Sequence, residues 1–160
     1  MNIEEVNKAN RLYDKGSIEE LYEFIKPFLE KDDPYALYLS AGFSLDEWNE
    51  SDEEYDKRYV DSHTKAADAG VPESMYRLSV LYYAGDMVER DLEKGRMYLN
   101  KALELNYGFA KITVGLNLYH GSNGYPKNIE KAIELLSEAV SENVEDAVEI
   151  LAKIQGEVQH

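Results

Sequence analysis

The chain has 160 residues, with 32 acids against 17 lysines and arginines, no cysteine, and a formal charge of −15. That charge repels phosphate backbones and anionic membranes, which argues against nucleic-acid or membrane binding and favours encounter with a basic partner. The lack of cysteine rules out a disulfide framework and any thiolate metal site. The start, Met1-Asn2-Ile3-Glu4-Glu5, is acidic where a secretory leader is basic, and no stretch is apolar enough to span a bilayer, so a soluble, cytoplasmic protein is expected.

Apolar residues at Ile3, Val6, Ala9 and Tyr13, then at Ile18, Leu21, Tyr22, Ile25, Phe28 and Leu29, recur at helical spacing and predict a helix pair over 3–15 and 17–31. Gly16 ends the first helix, Ser17 with Glu20 forms a capping-box pattern for the second, and Pro27 is expected to kink or shorten it. This pair, residues 1–31, reads as an N-terminal capping unit. Asp32-Asp33-Pro34 opens the next helix, which is predicted to run toward Leu45, and its partner runs from about Ser51 to Ala69 before Gly70. Further helices are predicted from Pro72-Glu73 to Ala84, Leu92 to Leu105, Phe109 to His120, Ile129 to Ser141, and Glu145 to Ile154, with fraying from Val158 to His160.

These elements repeat. Glu73 to Gly108 can be laid over Phe109 to Val144 with one single-residue insertion, and small residues fall in register: Ser74, Ala110 and Ala147 at one position, Ala66, Ala102 and Ala139 at another. A period near 36 residues with two helices per unit predicts an all-α fold, a right-handed α-solenoid of antiparallel helix pairs. The single domain would comprise the 1–31 cap, repeats at 32–72, 73–108 and 109–144, and a C-terminal capping helix at 145–155.

The unit resembles the Sel-one-like repeat, a relative of the tetratricopeptide repeat. The second repeat supplies Ser74, Leu78, Ser79, Tyr82, Gly85, Val88, Asp91 and Lys101-Ala102-Leu103. The third supplies Ala110, Val114, Gly115, Leu118, Gly121, Gly124, Lys131-Ala132 and Ala139, and Lys65-Ala66-Ala67-Asp68-Ala69-Gly70 closes the first. The first repeat departs from the pattern: a longer acidic stretch replaces its glycine-rich loop, and its first helix aligns equally at Leu39-Ser40 or Ser40-Ala41. The resemblance implies a protein-binding adaptor fold whose members act in signalling, secretion and host contact, some small bacterial ones as immunity proteins for toxins.

Charge is uneven along the chain. Residues 34–72 hold nine acids against Lys57, Arg58 and Lys65, whereas 73–108 hold six acids against five bases. Most of the excess is Asp46, Glu47, Glu50, Asp52, Glu53, Glu54 and Asp56, with no base between them and with Trp48 and Tyr55 embedded. Such a run is either a solvated loop and helix start, where acids favour the positive end of the macrodipole, or an acidic rim around an aromatic anchor for a basic partner.

Tyrosines form the second candidate surface. If the first helix of each repeat lines a concave face, as the resemblance implies, Tyr76, Val80 and Tyr83 of the second repeat and Phe109, Ile112, Leu116 and Tyr119 of the third point into a groove. Internal packing is the equal alternative. No catalytic site is expected: His63, His120 and His160 lie on separate elements, and a nucleophile needs a base and an orienting group within reach. His63 reads as an ordinary helix residue, His120 sits favourably at a helix end, and His160 has the look of a tag remnant. No cofactor or metal is expected either, since the calcium-loop spacing is missing and Gly121 to Gly124 lacks the Gly-Lys-Ser/Thr ending of a phosphate loop.

The sequence thus points to a non-enzymatic protein-interaction module. Its most specific form is an immunity or antitoxin-like protein that masks a basic toxin or effector domain; an adaptor or scaffold in secretion or signalling is the alternative. Exposed terminal repeats allow self-pairing, so the sequence leaves the oligomeric state open.

Overall fold

The computed structural model describes residues 1–159. Among them are nine α-helices and no strand. They are α1 (Ile3–Asp14), α2 (Ile18–Leu29), α3 (Pro34–Ala41), α4 (Asp52–Asp68), α5 (Pro72–Ala84), α6 (Leu92–Glu104), α7 (Gly108–His120), α8 (Ile129–Ser141) and α9 (Ala147–Val158), with a 3-10 turn at Asp46–Trp48. Two compact units divide within α5, one of Met1–Leu78 and one from Ser79 onward.

One backbone device recurs at the ends of the second helices. The amides of Asp33, Val71, Tyr107 and Val144 each reach back 3.0 Å to the carbonyls of Phe28, Ala66, Ala102 and Ala139. The residue before each of these amides, Asp32, Gly70, Asn106 or Asn143, has positive φ. This is the Schellman arrangement, in which a left-handed residue turns the chain and satisfies carbonyls that the helix end leaves open. Three residues after each amide comes Ala36, Ser74, Ala110 or Ala147, and all four are fully buried, as are Ala66, Ala102 and Ala139. Small side chains at these points let successive helices approach closely.

The same device ends α2, so the first pair shares this end geometry although Phe28, Asp32 and Asp33 match no residue of the later signature. Counting from buried Ala36 also resolves the register of the first repeat: Ser40-Ala41 takes the place of Leu78-Ser79 and Val114-Gly115. Ser17 makes no side-chain cap, contrary to the pattern it forms with Glu20. Complete capping boxes occur instead at Asn2 with Glu5 and at Ser51 with Glu54. Pro27 is accommodated in the last turn of α2, which stops two residues later, short of the expected Lys31. At the other end, α9 begins only after left-handed Asp146 and continues to Val158, beyond the expected Ile154. His160 lies outside the described residues.

In the first unit Ala9, Leu21, Ile25, Ala36, Leu39, Phe43 and Leu45 form the core between α1, α2 and α3. In the second, Ile112, Leu136 and Ala139 of the α7–α8 pair meet Ala147 and Ile154 of α9.

Candidate protein-binding site

The acidic segment is in part the solvated helix start, with Asp52, Glu53 and Glu54 in the first turn of α4, and one side chain ties the rest of it down. Arg58 of α4 donates from Nε and Nη2 to the Glu50 carboxylate at 2.6 and 2.9 Å, from Nη1 to the Ser40 carbonyl at 2.8 Å, and from Nη2 to the Phe43 carbonyl at 2.9 Å. The fork of a guanidinium can serve all four acceptors at once, which an ammonium cannot. Its carbon also lies 4.9 Å over the Trp48 ring and 5.3 Å over Tyr55. Taking the Ser40 carbonyl, Arg58 caps α3, which therefore ends at Ala41 rather than near Leu45. The Arg58 hydrogen bond holds the Glu50 carboxyl below its usual pKa, against burial, and a 2.8 Å bond from Ser44 helps.

Two members of the predicted rim are thus committed inward. Glu50 is neutralised by Arg58, a base from outside the acidic run, and Trp48 is half-buried, edge-on to Tyr22 at 5.3 Å and tilted against Phe43 at 5.9 Å. Glu54 is partly used by the Ser51 capping box. Asp46, Glu47, Asp52 and Glu53 remain exposed, and Asp56 is half-buried on α4.

Asp46 and Glu47 border a cleft of 540 Å³ whose other wall is α2. Its floor is Ile18, Tyr22, Phe43 and Leu45, and its rim carries Glu19 and Glu23 with Asp46 and Glu47. The four carboxylates take part in no ion pair among the described residues.

The expected tyrosine groove fares differently. Ile112 is buried, and Leu116 and Tyr119 pack against the same cluster under α9, with the Tyr119 hydroxyl donating to Glu157 at 2.7 Å. That bond raises the Tyr119 pKa. The helix expected as a C-terminal cap therefore covers the α7 part of the face assigned to binding. Tyr83 turns onto α6, where its ring crowds Gly95. Burial raises the pKa of the Tyr83 hydroxyl and, more strongly, of neighbouring Tyr125, whose own hydroxyl donates to Asn100 at 2.6 Å. Tyr76 is half-buried, while Val80 and Phe109 are exposed.

Two buried polar groups escaped the sequence reading. His63 is 3% exposed, its Nδ1 lies 3.0 Å from the Ser74 hydroxyl, and the rings of Tyr59 and Tyr38 stand 4.5 and 6.0 Å away. Burial, with Arg77 adding repulsion, lowers its pKa to about 4. Lys111 has a side chain 4% exposed and bonds Glu142 at 2.6 Å and Glu138 at 3.1 Å. Burial pulls its pKa down, and the two carboxylates outweigh that and raise it. Neither is flagged by spacing, because each partner comes from a different helix.

The Sel1 repeat family model matches residues 72–107 and 113–144. The chain carries two Sel1 repeats. A Sel1 repeat protein from Oxalobacter formigenes superposes with a TM-score of 0.71 at 24% identity, over 89% of this chain and 57% of that one. A protective antigen of uropathogenic Escherichia coli strains, displaying an SLR fold, gives 0.74 at 21% identity over 96% of this chain and 33% of that one. Cysteine rich protein B of Helicobacter pylori gives 0.54 at 28% identity over 59% and 71%. This chain thus spans 57% of the Oxalobacter protein and a third of the Escherichia antigen. No curated protein sequence matches it. The Sel1 neighbours bear out the α-solenoid class, and Sel1 repeats are protein-interaction modules. Among the described residues no helix is long and apolar enough to cross a membrane.

Proposed function

We propose that this Sel1 repeat chain is a non-enzymatic, cytoplasmic binding protein of the immunity type, which neutralises a basic toxin or effector domain by direct contact. The observation that carries this reading is the cluster of uncompensated exposed acids, Asp46, Glu47, Asp52 and Glu53, on a segment that Arg58 fixes in place, in a chain of charge −15. A fixed acidic rim accelerates encounter with a cationic surface without paying ordering entropy at contact. Nuclease toxins suit it because binding phosphates requires a cationic face.

The test is co-purification of the tagged chain with mass spectrometry, followed by stopped-flow binding of the isolated partner at two ionic strengths. A basic partner is expected, and Asp52→Asn with Glu53→Gln should slow association and flatten its salt dependence while leaving dissociation nearly unchanged, as rim charges do. Glu54 is left intact because its loss would also open the α4 cap. An acidic partner, or association indifferent to both changes, would overturn the reading.

A further inference from the structure

We infer that the cleft between α2 and the 43–47 segment receives an arginine side chain from a basic, amphipathic peptide segment of the protein partner. This rests on the basic-partner reading above and gives it a seat.

The cleft is apolar at its base and anionic at its edge. Ile18, Tyr22, Phe43 and Leu45 form the floor, and exposed Glu19, Glu23, Asp46 and Glu47 form the rim. Its 540 Å³ lies within the range of pockets that bury a small ligand, enough for a few side chains rather than a domain. An occupant must therefore carry apolar surface and positive charge together. Four carboxylates with no ion pair among the described residues make a neutral or anionic occupant unfavourable, and a metal ion would leave the aromatic floor uncovered. Arginine meets both requirements, since its planar guanidinium is weakly hydrated, bonds carboxylates bidentately and lies flat on aromatic rings.

The chain itself displays this chemistry on the other side of the wall. Arg58 pairs bidentately with Glu50 while lying 4.9 Å over Trp48, and Trp48 in turn contacts Tyr22 and Phe43 of the cleft floor. Because Arg58 also holds the Ser40 and Phe43 carbonyls, the 43–47 wall is set before any partner arrives. A lysine-rich or flexible polycation would find the charge but could not pair bidentately with it, and Lys26 of this chain already lies 5.7 Å over the Tyr22 ring.

Trp48 is the one tryptophan of the chain and packs behind the cleft against Tyr22 and Phe43 of its floor, so its fluorescence is the reporter of occupancy. The probe is the peptide acetyl-Arg-Leu-Arg-Leu-amide, compared with the same peptide carrying neutral citrulline for arginine and with spermine. The arginine peptide is expected to change Trp48 emission saturably, the citrulline peptide not to, and spermine to compete poorly. Glu19→Gln with Asp46→Asn should weaken binding at least about tenfold, while Glu145→Gln with Glu149→Gln, an equal charge loss on exposed residues elsewhere, should change it less than about twofold. No saturable Trp48 response, equal loss in both double variants, or equal competition by spermine would overturn the cleft assignment. Loss confined to Asp52→Asn with Glu53→Gln would overturn it too, yet leave the basic-partner reading standing. Co-purification of an acidic partner would overturn that reading whatever the peptide does.

Discussion

Acidification should destabilise this protein through His63 in particular. The ring is buried beside Tyr38 and Tyr59, bonds Ser74, and has a folded-state pKa of about 4 against an ordinary value of 6.5. A depressed pKa means that the unfolded chain takes up the proton first, so stability rises with pH across this window. The contribution is complete above the unfolded value and is lost as the pH falls from about 6.5 toward about 4. Each unit of that interval is worth about 1.4 kcal/mol, so moving from about pH 7 to about pH 5 should remove about 2 kcal/mol. The 32 acids of the chain also begin to titrate at the lower end, and relief of their repulsion acts in the opposite direction. A variant comparison cancels that background. Urea unfolding followed by circular dichroism, for the parent and for His63→Asn, should show the parent the more stable at neutral pH because its ring packs between tyrosines, with the gap narrowing by about 2 kcal/mol at about pH 5. Parallel stability curves would refute the argument, as would an NMR titration placing the His63 ring near 6.5.

Three further outcomes follow from packing and charge. Ala102→Phe or Ala139→Phe should cost about 1–3 kcal/mol in denaturant unfolding, because both sites are fully buried where helices meet, while Glu149→Phe on the exposed face of α9 should cost far less. Gly95→Ala should destabilise by about 1 kcal/mol or more despite alanine's helix preference, since a Cβ would sit 2.9 Å from the Tyr83 ring; Tyr83→Leu should shrink that penalty, and a raised melting temperature in the parent background would refute the contact. Glu138→Gln with Glu142→Gln should lower the melting temperature more than Lys111→Met, because the first change strands an ammonium in a buried place and the second removes it, and the reverse order would show that the Lys111 side chain reaches water.

What the sequence disclosed follows from how local each cause is. The helical period and the small-residue register are written in neighbouring residues, and each alanine or serine of that register is buried in the structure. The caps were legible where glycine marked them, as at Gly16, Gly70, Gly85 and Gly121, and illegible where Asp32 adopts the same left-handed geometry. The acidic segment was visible as composition, but its restraint depends on Arg58 projecting back from α4 to bonds 8 and 15 to 18 residues away, and on Trp48 finding Tyr22 on α2. The part of the expected groove on α7 was illegible for a related reason. Helical spacing places Ile112, Leu116 and Tyr119 on one face of α7 but does not say that α9 lies on it. His63 and Lys111 were invisible as special residues because their partners arrive from other helices.

The shared end of the second helices bears on how such a chain changes length. At Gly70, Asn106 and Asn143 the backbone turns by the same left-handed residue and closes the same bond, and a buried small residue follows at the same distance. A recombination that joined Gly70 directly to Tyr107, or copied the stretch between them, would rebuild an intact helix end at the junction instead of a broken one. Gain or loss of a whole unit is thus a milder mutation here than a single-residue slip inside a helix.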